Sequence, residues 1–125
     1  MTPTTPLMST LESYLKLTTI REQAISSNMA NIDTPGYHTR DINFEGELSK
    51  AMTGALGESE GGGDALQLTP VAREVPGLME RPDGNNVSLD REGLLMSQTQ
   101  LQYQIGVQLV KHQFHQMLSA INGGS

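Results

Sequence analysis

Ala24-Ile25-Ser26-Ser27-Asn28-Met29-Ala30-Asn31-Ile32-Asp33-Thr34-Pro35-Gly36-Tyr37 closes one long helix and turns the chain away within a few residues. Pro35 keeps Thr34 out of the helical region, and Gly36 supplies the positive φ that a type II turn needs at its third position. Upstream, Leu7, Leu11, Tyr14, Leu15, Leu17, Ile20, Ala24, Ile25, Met29 and Ile32 recur at threes and fours, which predicts a helix over 7–33. Ser9 or Thr10 is a candidate cap, Glu12 and Lys16 form an i,i+4 pair, and Pro3 and Pro6 keep the residues before them out of the helix.

Downstream, 34–87 reads as an irregular middle, partly β or disordered. Ile42 and Phe44 alternate with polar residues, which predicts a short strand or extended arm between Tyr37 and Leu48. The glycine-rich 53–64 predicts a flexible loop, and Leu66, Leu68, Val71, Val75, Leu78 and Met79, set between prolines, suit short strands. Pro82-Asp83-Gly84-Asn85-Asn86 is a strong turn signal.

Helical spacing returns over 88–122, with Ser88 or Asp90 as its cap and Gly123-Gly124 at its end. Met96, Tyr103, Val107, Val110, Phe114, Met117 and Ile121 follow a three-four heptad spacing broken only at Gln100, and Leu94, Leu101 and Ile105 form a neighbouring stripe. The fold expected is mainly α: long N- and C-terminal helices forming a coiled-coil-like pair around a loose middle, in a single domain over 1–125. For Tyr103, Val107, Val110, Phe114 and Met117, intramolecular core and intersubunit core both stay open, and a mixture is expected.

Leu, Ile, Val and Phe make up about 22% of the 125 residues, just above the roughly 20% below which disorder is the expectation, so the core must be small. The net charge of -6 comes without a basic cluster, which argues against nucleic acid and anionic lipid as partners. No stretch approaches the roughly 18 apolar residues of a membrane span, and the start lacks the charged and apolar regions of a signal peptide. Between Gly93 and Asn122 the only permanent charge is Lys111, whereas glutamine occurs seven times. Glutamine is far cheaper than Glu or Lys to desolvate, so much of this face is expected to meet protein rather than water. Gly93 and Gly106 each weaken that helix by about 1 kcal/mol relative to alanine. The isolated chain is therefore expected to order fully only on assembly.

Chemical sites are weak. His112 and His115 lie three apart, a spacing used by metal ligands with His38 or a carboxylate as a third, but no cysteine or Glu-x-x-His pattern supports them. Packing histidines are the better reading. Gly61-Gly62-Gly63-Asp64 lacks the Gly-Lys-Ser/Thr ending of a phosphate loop, and no serine sits in Gly-x-Ser-x-Gly. Neither an enzyme nor a cofactor is expected. Asn28 and Asn31 are candidates either to cap their own helix or to bond a neighbouring subunit. Tyr37 is equally a candidate to pack on its own turn.

The 24–37 stretch resembles the N-terminal signature of the flagellar rod, hook and hook-filament proteins, in which a helix ends in Ala-Asn-x-x-Thr-Pro-Gly-Tyr. The motif residues here are Asn28, Asn31, Thr34, Pro35, Gly36 and Tyr37. Asn85-Asn86-Val87-Ser88-Leu89-Asp90-Arg91-Glu92, with Leu101-Gln102-Tyr103-Gln104 and Gln108-Leu109, is similar to the C-terminal segment of the proximal rod branch. Its other short branch, FlgC, shares the first motif but opens its last helix with a Val-Glu-Glu-Met type sequence, where this chain has Leu89-Asp90-Arg91-Glu92. Gly93, where relatives often carry methionine, departs from the pattern.

The resemblance covers roughly residues 7–49 and 81–118 and implies a structural subunit of the flagellar basal body, exported without signal cleavage by the flagellar type III apparatus into the periplasmic rod. It implies self-association, with other rod proteins, a FliE-type adaptor and the export apparatus and membrane ring as neighbours. The assembly helix carries Leu101, Tyr103, Val107, Val110, Phe114 and Met117. Head-to-tail contacts whose rotation does not close give a helical tube. From a different class, the competing reading is a helical adaptor or chaperone that binds a partner helix with the same stripe.

Overall fold

The computed structural model describes residues 5–57 and 70–123, in the order α1 (Pro6–Ala30), β1 (Arg40–Asp41), α2 (Phe44–Ala55), β2 (Arg73–Glu74) and α3 (Leu89–Gly123). The protein is mainly helical, with long N- and C-terminal helices and a short irregular middle that holds both strands. Helix α1 starts earlier than Ser9 or Thr10 would set it. Thr5 is the N-cap, its hydroxyl accepting from the Met8 amide, and Pro6 occupies the first turn, where its missing N–H costs nothing. Ser88 caps α3, its hydroxyl accepting from the Arg91 amide at 3.3 Å.

The middle holds a helix where the Ile42 and Phe44 alternation predicted an extended arm. Only Arg40 and Asp41 are strand, pairing antiparallel with Glu74 and Arg73 respectively. Asn43 then caps α2 by accepting from the Gly46 amide, and Glu45 and Glu47 sit in a first turn where the helix dipole favours negative charge. Phe44, Leu48, Ala51 and Ala55 recur at helical spacing, a signal that the two-residue alternation obscured. Of the loop expected over 53–64, residues 53–55 close α2 and 58–64 lie outside the described residues, as do 65–69 of the following segment.

Helix α1 is the central element, packing against both α2 and α3. Leu17, Ile42 and Phe44 form the buried core, with Tyr14, Ile20, Leu48 and Ala72 packed around it. The Tyr14 and Phe44 rings meet edge to face at 5.7 Å, and the Arg21 guanidinium lies 5.8 Å from the Phe44 centroid while bonding Asp41 at 3.1 Å. On the other side α3 runs antiparallel to α1: Glu92 meets Asn28 near one end, and Gly106 meets Tyr14 and Leu15 further along. A Cβ at position 106 would stand 2.6 Å from Leu15 Cδ2 and 3.0 Å from Tyr14 Cδ1, so glycine is what lets the two helices approach here.

Candidate assembly interface

Two features of this frame bear on function: a polar knot that fixes how α1 leaves the helix pair, and a face of α3 that one copy leaves uncovered. The knot is built around Asn28, which is 1% exposed and engages every hydrogen-bonding position of its amide. Its Nδ2 donates to the Arg40 carbonyl at 2.8 Å and to Glu92 Oε2 at 3.1 Å, while its Oδ1 accepts from the Arg40 amide at 3.0 Å and the Tyr37 hydroxyl at 2.9 Å. One side chain thus ties α1, the exit turn, β1 and α3 together. Glu92 is fully buried, and its other oxygen accepts from Arg91 Nη1 at 2.8 Å.

The turn itself forms as its residues dictate. Tyr37 N–H donates to the Thr34 carbonyl, with Pro35 and Gly36 between them and Gly36 at φ 75°. Asn31 caps α1: its Nδ2 donates to the Ser27 carbonyl at 2.8 Å, and its Oδ1 accepts from the Thr34 hydroxyl at 3.0 Å. The 81–87 loop then seals the turn. Asn85, fully buried, donates from Nδ2 to the carbonyls of Asn31 and Thr34 at 2.9 and 2.8 Å, and Asn86 Oδ1 accepts from the Thr39 amide at 2.6 Å. Arg81 donates to the carbonyls of Ile32 and Val87, and Gly36 N–H donates to the Asp83 carbonyl. Gly84 lies so close that a Cβ there would stand 3.3 Å from Gly36 Cα.

All six motif residues thus belong to one corner, and Asn28, Asn31 and Tyr37 bond within their own chain. Sequence reasoning did not single out Glu92, Asn85, Asn86 and Arg81 as their partners. The paired asparagines read as part of a turn, and nothing local to Glu92 marks it as buried.

On α3 the packing line against α1 is centred on Glu92, Thr99 and Gly106, all buried, and not on the heptad stripe itself. Met96, Val107, Val110 and Met117 are half-buried at its flank, whereas Tyr103, Phe114 and Ile121 are exposed. Leu94, Leu101, Ile105 and Leu109 face outward, and Leu101, Gln104, Ile105, Gln108 and Leu109 line a shallow, mainly apolar groove. This is a large apolar surface on one helix, with no charge beyond Lys111 to keep it in water.

His112 and His115 are exposed on the same helix, with His112 beside Gln116 at 3.1 Å. Among the described residues no group of three or more His, Asp or Glu side chains is placed to hold a metal, and no helix is long and apolar enough to cross a membrane.

No family model matches the chain. Its sequence is 35% identical over 128 aligned positions to the flagellar basal body rod protein FlgB of Salmonella typhimurium, covering 91% of this chain and 91% of that protein. It is 34% identical to the protein of the same name from Yersinia enterocolitica, covering 90% and 91%, and 33% identical to that of Escherichia coli, covering 91% of each.

Proposed function

This chain belongs to the FlgB family of flagellar basal body rod proteins, and we propose that it polymerises in the proximal rod through the faces of α1 and α3 that a single copy leaves uncovered. It is a structural subunit of the flagellar basal body rod, and it associates there with other basal-body components. The observation that carries the polymerisation reading is the exposure of Leu101, Ile105, Leu109, Phe114, Leu118 and Ile121 along the part of α3 beyond Gly93, whose one charged residue is Lys111. Burying such side chains stabilises by about 1.5–3 kcal/mol each, and a single copy leaves that unrealised.

In this reading Leu101, Tyr103 and Phe114 meet neighbouring subunits, while Val107, Val110 and Met117 are shared between the α1 contact and the subunit contact. The knot of Asn28, Asn31, Thr34, Pro35, Gly36 and Tyr37 sets the angle at which the charged α2 and strand region leaves the helical layer. The role is structural and without catalysis. The neighbours are other rod proteins, a FliE-type adaptor and the export apparatus at the membrane ring, reached by type III export without signal cleavage. The whole chain acts as one rod-subunit unit.

The test is the Leu101→Glu/Leu109→Glu double variant, assayed for concentration-dependent association by sedimentation and for restored motility in a deletion strain. Polymerisation calls for open-ended association by the parent chain, and loss of both association and motility in the variant with helix content unchanged. A discrete, saturable complex would instead mark an adaptor, and a fully motile variant would remove the α3 face from assembly.

A further inference from the structure

His38 lies just beyond the α1 exit turn and touches two carboxylates at once. Its Nδ1 is 3.3 Å from Glu74 Oε2 and its Nε2 is 2.9 Å from Glu80 Oε1. A carboxylate only accepts, so both contacts are hydrogen bonds only when both ring nitrogens carry protons; a neutral imidazole leaves one nitrogen lone pair facing an anion. The two acids are six residues apart on one segment, 70–81, so the ring bridges that segment to the exit turn at two points.

Arg81 anchors the far end of the segment on the Ile32 and Val87 carbonyls; before it, little else holds the segment down. The β1–β2 ladder is two residues long, and the Val75 amide donates to the Thr39 carbonyl at 2.9 Å. Val71, Arg73, Glu74, Met79 and Glu80 are exposed. Beneath the segment, Ala72 packs on the Leu17, Ile42 and Phe44 core, and a cavity of about 700 Å³ opens between it and α2, lined by Ile42, Glu47, Lys50, Val71, Val75 and Arg91 among others. A strap with so few buried contacts opens locally well before the molecule unfolds.

We propose that His38 is a proton-operated clamp: as an imidazolium it closes the 70–81 strap over Ile42, and on losing a proton it lets the strap lift. Glu74 and Glu80 are the charges that act on the ring. Of the neighbouring cations, Arg40 stands opposite Glu74 in the ladder, Arg73 stands opposite Asp41, and Arg81 is turned onto the Ile32 and Val87 carbonyls. The hydrogen bond to Glu74, with further contributions from both carboxylates, raises the His38 pKa above its ordinary 6.5. A raised folded-state pKa gives stability that is present below 6.5 and is lost as pH rises through the folded value, so the strap is closed in mild acid and loosens toward alkaline pH.

The test is a pH titration of the full chain by NMR, reading the two ring nitrogens of His38 and the exchange protection factor of the Val75 amide, in the parent, in His38→Gln and in Glu74→Gln/Glu80→Gln. The expected result is a midpoint above 6.5 that falls in the double variant. Val75 protection should drop in step with it, by about tenfold per unit of upward shift, and stay low and flat in His38→Gln. A His38 midpoint at or below 6.5, or Val75 protection in His38→Gln equal to the parent's at every pH, would overturn the clamp. Circular dichroism on each variant separates loss of the clamp from loss of the helices.

Discussion

Asn28 Nδ2 donates to Glu92 Oε2 at 3.1 Å, joining residues 64 positions apart and locking α1 to the first turn of α3 inside a buried contact. Removing either partner leaves buried polar groups with no replacement. Asn28→Ala strands the Arg40 amide and one Glu92 oxygen, each costing about 1–3 kcal/mol, so a total loss of about 2–6 kcal/mol is expected in chemical denaturation. Asn28→Asp should be worse at neutral pH than in acid, because a second carboxylate beside Glu92 is relieved by protonation.

Gly36 has φ 75°, and a Cβ there would touch nothing within 4 Å. Its replacement by valine therefore acts through the backbone alone. A cost of about 1–2 kcal/mol or more is expected, since β-branched residues tolerate the left-handed region poorly. Gly36→Asn should cost less. Denaturation midpoints and motility of a complemented strain check both, and unaffected motility in Gly36→Val would count against the turn's role in assembly.

Gly106 sits where α3 crosses Tyr14 and Leu15. Gly106→Val should cost about 1–3 kcal/mol by overpacking. Gly106→Ala should cost less, because the roughly 1 kcal/mol gain in helix propensity offsets part of the clash with the Leu15 tip and the Tyr14 ring. Thermal melts of the two variants give the comparison.

In dilute solution the amides of α3 before Gly106 should exchange more slowly than those beyond it, where no side chain is buried. Strong protection along the whole of α1 and α3 in monomer would show that neither helix depends on assembly for order.

How much was legible follows from what each signal measures. The terminal helices and the turn at Pro35-Gly36 stand out because proline, glycine and a long apolar period act locally. Helix α2 did not, because Asn43 looks like an ordinary polar residue until its side chain is seen capping Gly46. The packing line of α3 was hidden for a different reason: Glu92, Thr99 and Gly106 are not hydrophobic, so apolar periodicity points past them to the flank. That periodicity counts every apolar side chain on the helix, whether it meets α1 or, as proposed, a neighbouring subunit, and one sequence cannot separate the two. Both halves of the polar knot stood out as motifs, 24–37 and 85–92, but they lie more than fifty residues apart and only the fold shows that they bond to each other.

The most direct test of a structural rod role is imaging of basal bodies in a strain lacking this chain, with and without the intact protein and the Leu101→Glu/Leu109→Glu variant. Basal bodies arrested before the rod, completed by the intact chain and left arrested by the folded variant, are expected. Normal rods in the deletion strain would contradict the structural role, and complete rods built from the variant would contradict assembly through α3.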